Sequence, residues 1–481
     1  MALAFKRLRS YSLVLNFKRS LGIPMGGYTR IKTRPAATLA LIIANVAVYA
    51  VSSYQNFFVE VGDYWVSAGG FVPALIAMPT QLYRIFSSMF LHADFFHILF
   101  NMYFLYLFGR AVEEALGKLR FLALYLVSGV AASIFHTAFS FLGGASAYVI
   151  PASGASGAIS GVLGAYLILF PGTSLTMGWF FFYMPVFFRM KAAYYLIFWF
   201  ATQVIYGYAR LGGSTAVFAH AGGFIAGIAL LPLVASKERL IQFRIARQQA
   251  LFPAYVIFTP APTKSPGLGA ATKAIMAVLL AALLFGAAYA STGLSIRGDV
   301  KAATLQYICN GTPYLDYLGV RLPNNVSQQL YDIQLGETRV LLIRLYAVGL
   351  LYNSDKINDS VSISELNARV PVKLFRGFTY ADLSIRDFSG SFDSDGFLSY
   401  GEGKLSTQAV DYYTGEKYPK SYTFKFSSQT VNLTYVTQFT GILSLVSTAF
   451  ALTVALTKDR DLTLIGEEPE RFWRPPAPYP V

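Results

Sequence analysis

Seventeen consecutive residues, 274–290, read AIMAVLLAALLFGAAYA and carry no charge. A run this apolar has to be covered on every side, and a helix that crosses a bilayer needs about 20 predominantly apolar residues. Seven more runs of the same kind occur. Six precede it, at 37–55, 92–109, 119–142, 156–171, 192–210 and 219–235, and one follows, at 438–456. The pattern predicts a mainly α-helical polytopic membrane protein with eight spans. Composition fits: 55% of the residues are hydrophobic and 13% charged, against about 25% charged in a soluble domain. The first run is not read as a cleaved signal peptide, because it is long, starts at residue 37 and has no small-residue cleavage site.

Lysine and arginine counts in the connections orient the spans. Residues 1–36, 110–120, 172–191, 236–273 and 457–481 together hold 23 of them, and the short loops on the other side hold only Arg84 and Arg210. The basic side is expected to be cytoplasmic, with both termini there. The formal net charge of +14 is then explained by orientation and by anionic lipid, and no nucleic-acid partner is expected.

Residues 292–437 break the apolar pattern. They hold 14 Lys/Arg and 14 Asp/Glu and no histidine. Stretches such as RVLLIRLYAV, VPVKLFRGFTY and SYTFKFSSQTVNLTYV read as strands between turns. The expectation is an extracytoplasmic, β-rich, sandwich-like domain that folds on its own. All four N-glycosylation sequons of the chain, at Asn310, Asn325, Asn358 and Asn432, fall inside it, which fits an outer location and N-glycans as modifications. The organisation expected is a basic cytoplasmic segment (1–36), a six-span core (37–235), a basic cytoplasmic linker (236–272), a seventh span (273–291), the outer domain (292–437), an eighth span (438–456) and a Pro-rich cytoplasmic tail (457–481), unstructured from 462. The location expected is the cell membrane of a prokaryote.

Polar residues within spans are costly and mark function. The second run opens HADFFHILFNMYFLYLF, with His97 and Asn101 four apart on one helical face and His92 about 7.5 Å further along the axis at 1.5 Å per residue. The fourth opens PASGASGAISGVLGAY, so Ser156 stands at a helix N-terminus, where unpaired N–H groups favour negative charge. Gly157 and Gly161 behind it form a small-residue strip, and His220, Gly223 and Gly227 form another on the sixth span. Spans two, four and six all run inward, and their polar residues all lie near their starts. His92, His97, Asn101, Ser156 and His220 are thus expected at one depth in the outer half of the bilayer. Serine with histidine supplies a nucleophile and a general base. The helix N-terminus, His97 and Asn101 supply oxyanion donors. No carboxylate lies within a span, which argues against a Ser-His-Asp triad; Asp94 is expected at the interface. His136, on the third span, is read as structural.

These residues resemble the rhomboid intramembrane serine proteases. The family's His-x4-His-x3-Asn pattern corresponds to His92, His97 and Asn101. Its Gly-x-Ser-Gly corresponds to Gly154, Ala155, Ser156 and Gly157. Its His-x-Gly-Gly-x3-Gly corresponds to His220, Ala221, Gly222, Gly223 and Gly227. The Trp-Arg of the first outer loop appears as Tyr83-Arg84, and the Gly-x3-Glu turn as Gly109 to Glu113. The resemblance covers about 37–235 and implies a six-helix rhomboid core, with the last two spans and the outer domain outside it. It implies a serine endopeptidase acting on transmembrane proteins. Ser156 would attack after His220 removes its proton, Ser156 N–H, His97 and Asn101 would hold the oxyanion, and His92 and Gly154 would line the site. Arg84, Glu113, Gly157, Gly161, Gly223 and Gly227 would be structural. Many relatives carry an aromatic residue four after the serine to pack on the histidine; here it is Ser160, which leaves the support of His220 unassigned. No cofactor is expected. The histidines are not read as a metal site, since no HExxH and no intramembrane carboxylate accompany them. A transporter would not require a serine at a helix start facing a histidine. The alternative is a catalytically silent rhomboid-like protein that binds membrane clients.

Overall fold

The computed structural model describes residues 23–27, 34–181, 184–212, 216–251, 265–322, 326–331, 333 and 335–467. Most of the basic segment 1–36, residues 252–264 of the linker, residues 468–481 of the tail and the sequon at Asn325 lie outside them.

Each apolar run forms a helix: α1 (Ala36–Ser53), α2 (Phe95–Leu116), α3 (Lys118–Phe139), α4 (Ser156–Leu169), α5 (Ala192–Tyr208), α6 (Val217–Val234), α8 (Ala270–Ser291) and α10 (Leu433–Leu462). A polar helix, α7 (Lys237–Leu251), follows α6. Six of these, α1, α2, α3, α6, α8 and α10, are long and apolar enough to cross a membrane. α4 has 14 residues and α5 has 17. The connection 172–191, counted among those on the basic side, folds as an antiparallel hairpin, β2 (Ser174–Phe181) and β3 (Met184–Lys191), with β1 (Ile23–Gly27) beside β2.

Carboxylates set two of the helix starts. Glu113, 4% exposed, accepts from Ala37 N at 2.9 Å, and from Thr38 N and Thr38 Oγ1, each at 2.8 Å. It thereby caps α1 from the C-terminal end of α2. Asp94 Oδ1 accepts from His97 N at 2.8 Å and is the N-cap of α2. The second span therefore starts after His92, which sits in the preceding loop, and not at it.

α4 and α6 meet without intervening side chains. A Cβ on Gly223 would strike the Gly157 carbonyl, one on Gly227 the Gly161 carbonyl, and one on Gly164 the Phe224 carbonyl. The small-residue strip of α6 lies on the backbone of α4, and Gly157 and Gly161 make room in turn for Ala132 and Ser128 of α3. α4 is closed at its other end by the chain after α10. Thr463 Oγ1 donates to Ile168 O at 2.7 Å, and Leu464 N to Leu169 O at 2.7 Å. Residues 463–467, expected in an unstructured tail, thus satisfy helix-end carbonyls that would otherwise be buried unpaired. Glu467 also accepts from Gly269 N and Thr272 Oγ1 at the start of α8.

Residues 299–432 form one six-stranded antiparallel sheet, not a sandwich. Its strands are β4 (Asp299–Cys309), β5 (Thr312–Val320), β6 (Ser360–Lys373), β7 (Phe378–Phe392), β8 (Leu398–Val410) and β9 (Lys417–Asn432), in the order β5-β4-β9-β8-β7-β6. In β9, Tyr422, Phe424 and Phe426 are buried, and Thr423, Lys425 and Ser427 face out. Against the buried face packs α9 (Gly336–Ala347). The stretch RVLLIRLYAV, expected as a strand, is therefore helical. Leu341, Leu342 and Leu345 fall on one helical face and are fully buried on the sheet.

Lys301 is 2% exposed and donates to Asp393 at 2.6 Å, Asp395 at 2.5 Å and Thr430 Oγ1 at 2.8 Å. Burial pulls its pKa down, and the two carboxylates more than reverse this, so the net shift is upward from 10.5. The stabilisation is complete below that ordinary value and is lost as pH rises through the higher folded value. Lys301→Met should lower domain stability by about 3 kcal/mol at neutral pH, read by urea denaturation with tyrosine fluorescence. It should also remove the stability loss that the wild type shows on raising the pH above the ordinary lysine value.

Gly227→Val should cost about 1–3 kcal/mol or more, because the obstructing atom is a backbone carbonyl that cannot swing away. A lowered thermal midpoint of the detergent-solubilised protein checks it, with Leu233→Val on the exposed face of α6 as the neutral reference.

Candidate active site

Ser156 is the first residue of α4 and His220 lies in the first turn of α6. With the two helices in glycine contact, His220 Nε2 stands 2.7 Å from Ser156 Oγ. Both residues are only partly buried. His220 Nδ1 stands 2.9 Å from Gln203 Oε1, on α5. Gln203 Nε2 donates to Thr202 Oγ1 at 3.1 Å and Trp199 O at 3.4 Å, which turns Oε1 toward the imidazole. An amide oxygen can only accept, so Nδ1 carries the proton and Nε2 is left to accept from the serine hydroxyl.

Gln203 was not singled out in the sequence. Its signal was there: a primary amide in the middle of a 17-residue apolar helix, 6% exposed, is a polar residue that needs a partner. Trp199, one turn earlier on α5, lies with its ring 6.1 Å from that of His220, at 33°. The aromatic support of His220 thus comes from α5, and Ser160 instead donates to the Ser156 carbonyl at 2.6 Å.

The remaining candidates surround the serine. Gly154 has φ +127°, and a Cβ there would stand 2.7 Å from Cε1 and Nε2 of the His97 ring. Only glycine leaves that ring edge open toward the serine. Ala93 N donates to His97 Nδ1 at 3.4 Å. His92, fully buried, accepts from Ala155 N at 3.3 Å, and its ring centroid is 5.1 Å from that of His97. Asn101 Nδ2 donates to His97 O at 2.8 Å, which spends one of its two N–H groups and leaves the other. His136 stands apart on α3, its ring 6.4 Å from that of Phe71. Arg84 is buried in the loop between α1 and α2, and Glu113 caps α1. The structure therefore gathers Ser156, His220, His97, His92 and Gly154 in one place, with Asn101 one turn on from His97 along α2. Arg84, Glu113 and the four glycines stand in the scaffold around them.

Residues 79–237 match the family described as the rhomboid domain. That segment is a rhomboid domain, and it stands in a chain with six helices long and apolar enough to cross a membrane. The chain is 32% identical over 151 residues to rhomboid protein 1, mitochondrial, of Saccharomyces cerevisiae, covering 31% of this chain and 41% of that one. It is 32% identical over 144 residues to rhomboid protease AarA of Providencia stuartii, covering 28% and 50%. It is 39% identical over 87 residues to rhomboid protease GluP of Bacillus subtilis, covering 18% and 16%. The chain spans half or less of the length of these relatives.

Gln203→Leu should leave the fold intact and remove the acceptor that sets the His220 tautomer. Labelling of Ser156 by a fluorophosphonate should slow by on the order of 10-fold or more, and Gln203→Glu, which keeps an acceptor, should retain more of the rate.

Proposed function

We propose that the chain is an intramembrane serine endopeptidase that hydrolyses peptide bonds of transmembrane protein substrates near the outer face of the cell membrane. The observation that carries this reading is the 2.7 Å approach of His220 Nε2 to Ser156 Oγ, with His220 Nδ1 held by Gln203. Ser156 Oγ attacks the scissile carbonyl as its proton passes to His220 Nε2. The oxyanion is held by Ser156 N–H at the α4 N-terminus, by His97 Nε2–H and by the second N–H of Asn101. The imidazolium returns its proton to the leaving amine, and water repeats the sequence on the acyl-enzyme. His92 supports the approach to the serine by accepting from Ala155 N. The basic residue distribution supports cytoplasmic termini and an extracytoplasmic 292–437.

The discriminating experiment uses a fluorophosphonate probe on the full chain in membranes. Labelling of the wild type but not of Ser156→Ala supports the dyad. A wild type that takes up no probe overturns the protease reading and leaves a client-binding protein. Ser156→Ala or His220→Ala should lower turnover of a cleaved substrate by on the order of 10⁴-fold or more. His97→Ala or Asn101→Ala should cost about 10²–10³ or less, since each leaves other donors in place. Comparing membrane proteins shed by wild type and Ser156→Ala cells would identify the substrates.

A further inference from the structure

The outer sheet is built into the membrane core. Its edge strand β5 lies against the short helix Asp63–Gly69. Val72, Leu75 and Tyr148 of the loops share one apolar cluster with Val300 and Val431 of the sheet and Leu433 of α10. The Tyr148 and Thr437 hydroxyls are 2.5 Å apart. At this junction stands Arg84, 1% exposed. Its Nη1 donates to Gly70 O at 2.7 Å, its Nη2 to Ser67 O at 2.7 Å, and its Nε to Gln81 Oε1 at 2.8 Å. The face of the guanidinium is covered by a residue of the outer domain: Tyr317 of β5, whose ring centroid is 3.7 Å from Arg84 Cζ, against 5.6 Å for Tyr83.

The segment that Arg84 ties down runs directly into the candidate site. Phe71 N donates to Ala152 O at 2.8 Å, and Ala152 N returns to Phe71 O at 2.7 Å. Gly154 N donates to Ser88 O at 2.8 Å. Gly154 is the residue that faces the His97 ring, and Ser156 is two residues on. Arginine stays charged, so removing the ring would open a buried cation to water at the point where the loop 67–88 is held.

We propose that Tyr317 is a positioning residue for the cleavage reaction, acting from the outer domain through Arg84 on the segment 152–154 that leads into Ser156. This rests on the proteolytic reading. The domain then supports the site's geometry as well as standing beside it, and its ring supplies the closer aromatic face where the loop itself offers only Tyr83.

The test compares Tyr317→Phe, Tyr317→Leu and Tyr317→Ala in the full chain reconstituted in liposomes. Tyr317→Phe keeps the π face and should keep wild-type kcat. Tyr317→Ala and Tyr317→Leu should lower kcat about tenfold with KM unchanged. The leucine variant keeps the apolar packing and serves if the alanine variant does not fold. Hydrogen exchange is read in parallel at the Phe71, Ala152 and Gly154 amides, which should exchange faster in the leucine variant and not in the phenylalanine variant. Unchanged exchange overturns the brace whatever the activity. Faster exchange with unchanged kcat overturns the positioning role, as does a loss of kcat in Tyr317→Phe equal to that in Tyr317→Leu. A wild type that neither cleaves nor takes up fluorophosphonate overturns the proteolytic reading instead, and the exchange data still decide whether Tyr317 holds the loop.

Discussion

The absence of side chains between α4 and α6 is the constraint on which the candidate site depends. β-Carbons on Gly223 and Gly227 of α6 would strike the Gly157 and Gly161 carbonyls of α4, while Gly157 and Gly161 leave room for Ala132 and Ser128 of α3. Helix axes that close bring the first residue of α4 to the first turn of α6, and the serine hydroxyl to the imidazole. With no hydrophobic driving force between helices in lipid, such small-residue contact is what association rests on. The same glycines weaken each helix on its own, a cost that the close contact they permit offsets.

Length is the second determinant. At 1.5 Å per residue α4 is about 21 Å long, well short of a hydrocarbon core of about 30 Å. Its C-terminal carbonyls are satisfied by residues 463–465. Its N-terminus ends within the bundle, where Ser156 meets His220 of α6, itself held by Gln203 of α5, with the His97 ring of α2 beside Gly154. Backbone that is neither helix nor closed sheet survives at such a level only where protein or water satisfies it. The loop 151–155 meets this condition through Phe71, Ser88 and His92.

Much of this was legible in the sequence because spacing survives folding within an element. The eight apolar runs became eight helices, and His97 with Asn101, or His220 with Gly223 and Gly227, kept their shared faces. What crosses between elements was not legible. Gln203 and Trp199 lie on a run whose partner could not be read from periodicity, so the group that sets the His220 tautomer was missed. The stretch 339–348 was read as a strand because its β-branched and leucine residues suit both states. Leu341, Leu342 and Leu345 decided for helix once a sheet face needed covering. His92 was placed on the second span because the apolar run includes it, whereas the Asp94 cap starts the helix later.

The way the sheet 299–432 joins the bundle fixes where its β5 edge lies. β4 begins and β9 ends side by side, with Asp299 paired to Asn432, so the chain leaves α8 and returns to α10 at one place. Those two helices are in close contact there: a Cβ on Gly441 would stand 2.7 Å from Ser291 N. Two neighbouring strands continuing two packed helices leave little freedom to swing. The β5 edge, one strand further out, is then delivered to the loop 63–84 at a fixed position. A single flexible tether would average Tyr317 away from Arg84. Two attachments in register, together with the apolar cluster that links Val72 and Leu75 to Val300 and Val431, make the ring's position over the guanidinium a property of the fold.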